Sequence, residues 1–293
     1  MKTTFQKDTA FLDDVRNALP SGKCKLWWLG QSGFLIVHKG RAIILDPYLS
    51  DSLTRKYAAT DKPHVRMTER VVDPAALGEL GVIDVITSSH NHTDHLDAET
   101  LEPLLRLNPE AKLAIPAANR DFVIERLGTA VASRLVDLDD GTSTTVSGVE
   151  FHGIAAAHPT IERDQLNRCK FLGYVLRLDG FTIYHSGDTL IHERLVPSLW
   201  PFAIDVALLP INGDRPERRV AGNLDGAQAA RLAHDIGARL VIPCHFDLFE
   251  FNTASPDEFS AECQQIRQPY RVLGNGEGLE LSASLGNAEK LKR

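Results

Sequence analysis

Four cysteines, Cys24, Cys169, Cys244 and Cys263, are scattered through 293 residues, and no two of them form a CxxC pair. So sparse a set argues against a disulfide framework and suits a reducing compartment. No apolar run reaches the roughly 20 residues that a membrane-spanning helix needs. The opening stretch MKTTFQKDTAFLDDVRNALP has no apolar core of the signal-peptide kind. A cytoplasmic protein is the expectation. Positive charge is also in deficit: 32 Lys and Arg stand against 39 Asp and Glu, for a net charge of -7. An acidic balance does not steer a protein toward nucleic acid or an anionic membrane. There is no block of like charge, no low-complexity tract and no composition shift that marks a linker.

What is present is an ordinary globular composition, 43% hydrophobic and 24% charged, in a chain long enough to bury a substantial core. Phe11, Leu12, Val15 and Leu19 recur at helical spacing and predict an amphipathic helix ending near Pro20. KLWWLG reads as a strand, and GFLIVHKGRAIILDP as a hairpin turning at Lys39-Gly40. Residues 48–80 are polar and aperiodic, a candidate lid. GVIDVITSS is a buried strand, followed by a helix from about Ala98 to Leu107, strand AKLAIPA and helix NRDFVIERLG. Strands follow at SRLVDLD, VEFHGIAAAH, FLGYVLRLDG and FTIYHSGD, the last two joined by the hairpin dipeptide Asp179-Gly180. Strand IDVALLPI, helix LDGAQAARLAHDIG, strand RLVIPCHF, helix SPDEFSAECQQIRQ and strand GLELSAS complete the alternation. This order predicts an α/β (α+β) fold with two packed sheets and helices outside, as a single domain over 1–293.

The dominant feature is Ser89-His90-Asn91-His92-Thr93-Asp94-His95-Leu96-Asp97, at the end of a buried strand. In extended chain, residues two apart point the same way, so His90 and His92 converge on one ion. The turn that must precede the next helix swings Asp94 and His95 toward a second. Imidazole with carboxylate suits zinc, and also manganese or iron where oxygen donors are numerous. Further donors stand at strand ends: His158 after VEFHGIAAA, Asp188 in YHSGD and His245 in RLVIPCHF. His185, three residues before Asp188, is a candidate proton donor. His38, His64, His192 and His234 read as surface or packing residues. Arg215, Arg218 and Arg219 in GDRPERR read as a solvated loop rather than an anion clamp. Gly30-Gln31-Ser32-Gly33 fits neither a phosphate loop nor a nucleophile elbow, and reads as a tight turn.

HNHTDH resembles the HxHxDH signature of the metallo-β-lactamase superfamily, whose later motifs are matched in order by Asp46, His158, Asp188 and His245. The resemblance runs from about Trp27 to Phe249 and implies a four-layer αββα sandwich. It assigns His90, His92 and His158 to one metal, and Asp94, His95 and His245 to the other. Asp188 bridges the two, and Asp46 supports the ligands from behind through hydrogen bonds near the loop. WWLGQSGFLI, SHNHTDHLD, YHSGDT, IDVALLPI and RLVIPCHFD are similar to the L-ascorbate 6-phosphate lactonase (UlaG-like) branch. LPINGDRPE carries a weaker similarity to the N-acyl phosphatidylethanolamine phospholipase D group. Residues 48–80 and His158–Lys170 depart from the lactonase pattern, so its substrate does not simply transfer.

The expected cofactors are two divalent ions, zinc or manganese ahead of iron, about 3.5–4 Å apart and sharing a water made nucleophilic by its lowered pKa. Asp94 and His185 are the side chains expected to take part in the chemistry. The implied function is a UlaG-like lactonase or ester hydrolase acting on a small anionic metabolite. A phosphodiesterase or RNA-processing nuclease is the alternative enzyme, disfavoured by the acidic charge. A non-catalytic metal-binding protein is the alternative class, and filled ligand positions speak against it. An iron redox role would need a partner domain for which this chain has no spare length. A small-molecule substrate, no membrane and no nucleic acid are the expected partners, with homo-oligomerisation left open.

Overall fold

The computed structural model describes residues 1–282, so Ala283 and Ser284 of the expected terminal strand lie outside the described residues. In chain order the first elements are α1 (Asp8–Ala18), β1 (Cys24–Gly30), β2 (Gly33–His38), β3 (Arg41–Leu45), α2 (Ser52–Tyr57) and α3 (Pro74–Gly78). β4 (Ile83–Thr87), α4 (Ala98–Leu107), β5 (Lys112–Pro116), α5 (Arg120–Leu127) and β6 (Leu135–Leu138) follow. Next come β7 (Ser143–Val146), β8 (Val149–Ala155), β9 (Leu172–Leu178), β10 (Phe181–His185), α6 (Leu195–Leu199) and β11 (Val206–Pro210). α7 (Gly226–Asp235), β12 (Leu240–Cys244), α8 (Asp257–Ile266) and β13 (Gly278–Leu281) close the chain. The residues fall into two compact units, one built mainly from 1–137 with 247–251 and 274–281, the other from 138–246 with 252–273.

The first unit carries a seven-stranded sheet in the order β13-β1-β2-β3-β4-β5-β6. β3, β4 and β5 run parallel. A parallel strand between two neighbours is covered on both faces, which is why IDVIT reads as an almost continuous apolar run. α4 turns Leu101, Leu104 and Leu105 into the core, and its N-cap Asp97 accepts from Thr100 N. α1 buries Phe11, Leu12, Val15 and Ala18, with Phe11 edge-on to Trp27 at 6.4 Å. Residues 48–80 are less irregular than their composition suggests. They hold α2 and α3, and Tyr48, Leu49, Leu53, Val71, Val72 and Leu77 are buried.

The second unit carries a six-stranded sheet in the order β12-β11-β10-β9-β8-β7. β10, β11 and β12 are parallel, while β8, β9 and β10 alternate in direction, so β8 points the same way as β10. Residues leaving the carboxyl ends of β8, β10, β11 and β12 therefore emerge at one rim. The sequence reading missed β7. Ser143–Val146 is a short Ser/Thr-rich edge strand closed by the Ser147-Gly148 turn, where both residues take positive φ (50° and 77°). α7 starts with a capping box between Asp225 and Gln228 and stops before Gly237 at φ 67°.

All four cysteines are buried. Burial pushes the Cys24 and Cys263 thiols up to about 12 and Cys169 up to about 11. No helix among the described residues is long and apolar enough to cross a membrane.

Candidate metal centre

In the first unit the site begins with Asp46, which follows β3 at φ 39° and is completely buried. An isolated buried carboxylate costs several kcal/mol, so it must be met by donors. Thr87 Oγ1 donates to Oδ1 at 2.7 Å, and Ser89 N donates to both oxygens at 3.1 Å. The Ser89 hydroxyl donates to Oδ2, and His95 Nδ1 donates to the same oxygen at 2.7 Å. With that proton on Nδ1, the lone pair of His95 is on Nε2, the arrangement a metal-binding imidazole requires.

β4 ends at Thr87; Ser88 N still donates to Ala114 O of β5 at 3.0 Å, but Ser89 N turns to the Asp46 side chain, and residues 89–95 leave the sheet as bends and a turn. The extended alternation expected for His90 and His92 is therefore not what brings them together. Their rings nonetheless lie 4.5 Å apart, and His90 and His95 lie 4.1 Å apart. His95 N and Leu96 N both donate to His92 O, at 3.1 and 2.9 Å, closing one helical turn. That turn carries Asp94 Oδ2 to 3.8 Å from His95 Nε2.

Two residues that the sequence did not reveal hold this loop. Arg126 on α5 donates to Asn91 O at 3.0 Å and to Leu96 O at 2.9 Å, clasping both ends of the turn. Its guanidinium is pulled below its ordinary value by desolvation, partly countered by Asp97. Gln31 Nε2 donates to Asp94 Oδ2 at 2.8 Å. Neither contact has a local signature, since the partners are 30 to 63 residues apart.

In the second unit, His158, Asp188 and His245 leave the carboxyl ends of β8, β10 and β12, at the rim described above, and all three are buried. His158 Nδ1 donates to Gly222 O at 2.8 Å, which again leaves the lone pair on Nε2. Leu190 N donates to Ala157 O at 2.7 Å, and Ala157 N donates to Thr189 Oγ1 at 3.1 Å. These bonds tie the His158 and Asp188 loops together. Asp188 Oδ2 then stands 3.7 Å from His158 Nε2 and 3.5 Å from His245 Nε2. A carboxylate oxygen at that remove from two imidazole nitrogens outlines a space that a cation fits. Each unit thus gathers hard and borderline donors without a thiolate, a set that suits zinc, manganese or iron.

His185 is fully buried at the end of β10, in register with Tyr174 and Leu208. The packing reading holds for His64, which lies against Tyr57, Phe249 and Phe251, and for His192, which meets Ala155 O at 3.0 Å. Arg218 departs from the solvated-loop expectation. It donates to Asn212 O at 2.6 Å, Asn252 Oδ1 at 3.0 Å and Thr253 O at 2.7 Å, as a strut rather than a free loop cation. The Gln31-Ser32 turn links β1 to β2, with Gly30 opposite Gly33 in register.

A family model described as "Beta-lactamase superfamily domain" matches residues 41–246. A UPF0173 metal-dependent hydrolase of Myxococcus xanthus is 30% identical over 87% of this chain and 82% of its own length. A probable L-ascorbate-6-phosphate lactonase UlaG of Escherichia coli is 25% identical, covering 87% of this chain and 79% of its own. In fold, the chain resembles a metallo hydrolase of Ignicoccus hospitalis with a TM-score of 0.63 at 22% identity, covering 89% of this chain and 99% of that one. Two sheets with flanking helices, a His/Asp donor cluster behind the HxHxDH turn and these relatives lead to one assignment: this chain belongs to the metallo-β-lactamase superfamily, among its metal-dependent hydrolases.

Proposed function

We propose that the two donor sets serve one pair of divalent cations, zinc or manganese, in a single catalytic domain. His90, His92 and His158 would hold one cation, and Asp94, His95 and His245 the other, with Asp188 shared between them. The observation that carries this reading is the position of Asp188 Oδ2 between the Nε2 atoms of His158 and His245. The family model supports the single domain, because its span of 41–246 includes every one of these residues.

When bound, such a cation pair supplies Lewis acidity and activates water at neutral pH. The chain's own residues do the rest. Asp46 keeps the proton of His95 on Nδ1, and Gly222 O does the same for His158. Asp94 completes the ligand set opposite His95. His185 is proposed to supply a proton to the leaving group from the end of β10, and residues 48–80 to cover the substrate.

The proposed substrate class is the lactone or carboxylic ester of a small anionic metabolite. It rests on the likeness to the Escherichia coli relative named as a lactonase. The test is a panel of lactones, phosphodiesters and amides offered to zinc- or manganese-loaded protein, with His92→Ala as control. Turnover confined to lactones or esters, and lost in the control, is the expected result. Turnover confined to phosphodiesters would replace the lactonase reading with the phosphodiesterase one.

A further inference from the structure

We infer that Gln31 is a positioning residue that sets the orientation of the Asp94 carboxylate, and that a strained, buried turn is kept for that purpose. The inference rests on the reading of Asp94 as a cation ligand, and goes beyond it by naming what aims that ligand.

Two-residue hairpin turns ordinarily lie in solvent and use glycine or asparagine where φ is positive. This turn does neither. Gln31 has φ 51° and is 4% exposed, and Ser32 is wholly buried. A left-handed conformation costs a residue with a Cβ on the order of 1 kcal/mol, and glycine would avoid it. Such strain persists where surroundings over-determine it, and here they do. Trp28 Nε1 donates to Gln31 O at 2.9 Å, inside the core. Gly33 allows no side chain without crowding, since an added Cβ would lie 3.1 Å from Gly30 O and 3.4 Å from Asp46 O. The residue that closes the turn is thus confined between the carbonyl of Gly30 and that of Asp46, the residue that holds His95.

From that anchored position the side chain reaches the metal-binding loop, where Nε2 meets Asp94 Oδ2 at 2.8 Å. Glycine has no arm to make this bond. A lysine or arginine would make it with a full positive charge, which would compete with a cation for the carboxylate. A neutral amide donor fixes the carboxylate and leaves its negative charge available. Length, neutrality and donor character together explain why glutamine occupies a position whose backbone favours glycine.

The test separates strain from positioning because the two move in opposite directions. Gln31→Gly relieves the backbone and removes the amide, while Gln31→Met keeps the length and the strain without the donor. Titrate each protein, stripped of metal, with zinc and with cobalt, following calorimetry, the cobalt d–d spectrum and thermal melting. Gln31→Gly is expected to melt no lower than wild type without metal, yet to bind the more weakly held cation about tenfold less tightly with an altered cobalt spectrum. Gln31→Met should weaken binding to a similar degree. Wild-type affinity and an unchanged spectrum in either folded variant would overturn the inference alone. If Asp94→Ala also binds cations as wild type does, the ligand assignment falls with it.

Discussion

The two donor sets reach similar geometry by different means. In the first unit four candidate ligands come from six consecutive positions, His90 to His95, and a buried carboxylate organises them through four hydrogen-bond donors on Thr87, Ser89 and His95. In the second unit the three candidate donors come from three loops separated by 30 and 57 residues. Their convergence follows from strand direction, because β8, β10 and β12 all end at one rim. A contiguous set depends on local bonds that one mutation can cut. A dispersed set depends chiefly on the direction of the strands that carry it.

That contrast ranks the expected effects. Asp188→Ala removes the proposed shared ligand, and turnover should fall on the order of a thousandfold or more, with metal content by mass spectrometry dropping below one ion per chain. Circular dichroism should remain that of the folded protein. Asp46→Asn leaves every proposed ligand in place but disturbs the tautomer of His95. Cation affinity should fall about 10- to 100-fold, read by competition with a chromogenic chelator. Behind His158 a comparable replacement is expected to matter less, because a backbone carbonyl, Gly222 O, meets its Nδ1.

Arg126→Met comes next, since it leaves Asn91 O and Leu96 O without their donor. A cost of about 1–3 kcal/mol in urea unfolding is expected, with weaker cation binding. An effect on stability without any on binding would show that Arg126 supports the fold and not the ligands. The smallest effect concerns pH and lies away from the site. Burial raises the Asp14 carboxyl, but hydrogen bonds from Lys25, Trp27 and Gln6 together outweigh it and hold the group below its ordinary value. A depressed folded value means that the stabilisation is present above the unfolded value near 3.8 and is lost as pH falls through the folded one. Asp14→Asn should lower the melting midpoint at neutral pH by about 2 °C or less, with unchanged metal content, and the difference should fade in acid.

The same contrast explains what the sequence could reveal. The HNHTDH run announced the first set because its spacing is local, although bends rather than an extended strand bring His90 and His92 together. His158, Asp188 and His245 were visible only as donors at strand ends until the family pattern linked them. The periodic elements, such as α1, β4 and α4, were legible because burial imposes its period on apolar residues. The polar edge strand β7 and the short helix α2 carry too little apolar signal for that. Gln31 and Arg126 were hidden for a different reason: their roles depend on contacts between distant positions.

Anomalous diffraction from crystals of the zinc- or manganese-loaded protein tests the central claim most directly. The account predicts two peaks about 3.5–4 Å apart, one beside His90, His92 and His158, the other beside Asp94, His95 and His245, with Asp188 touching both. A single peak held by the donors of one unit alone, or none after loading, would contradict it.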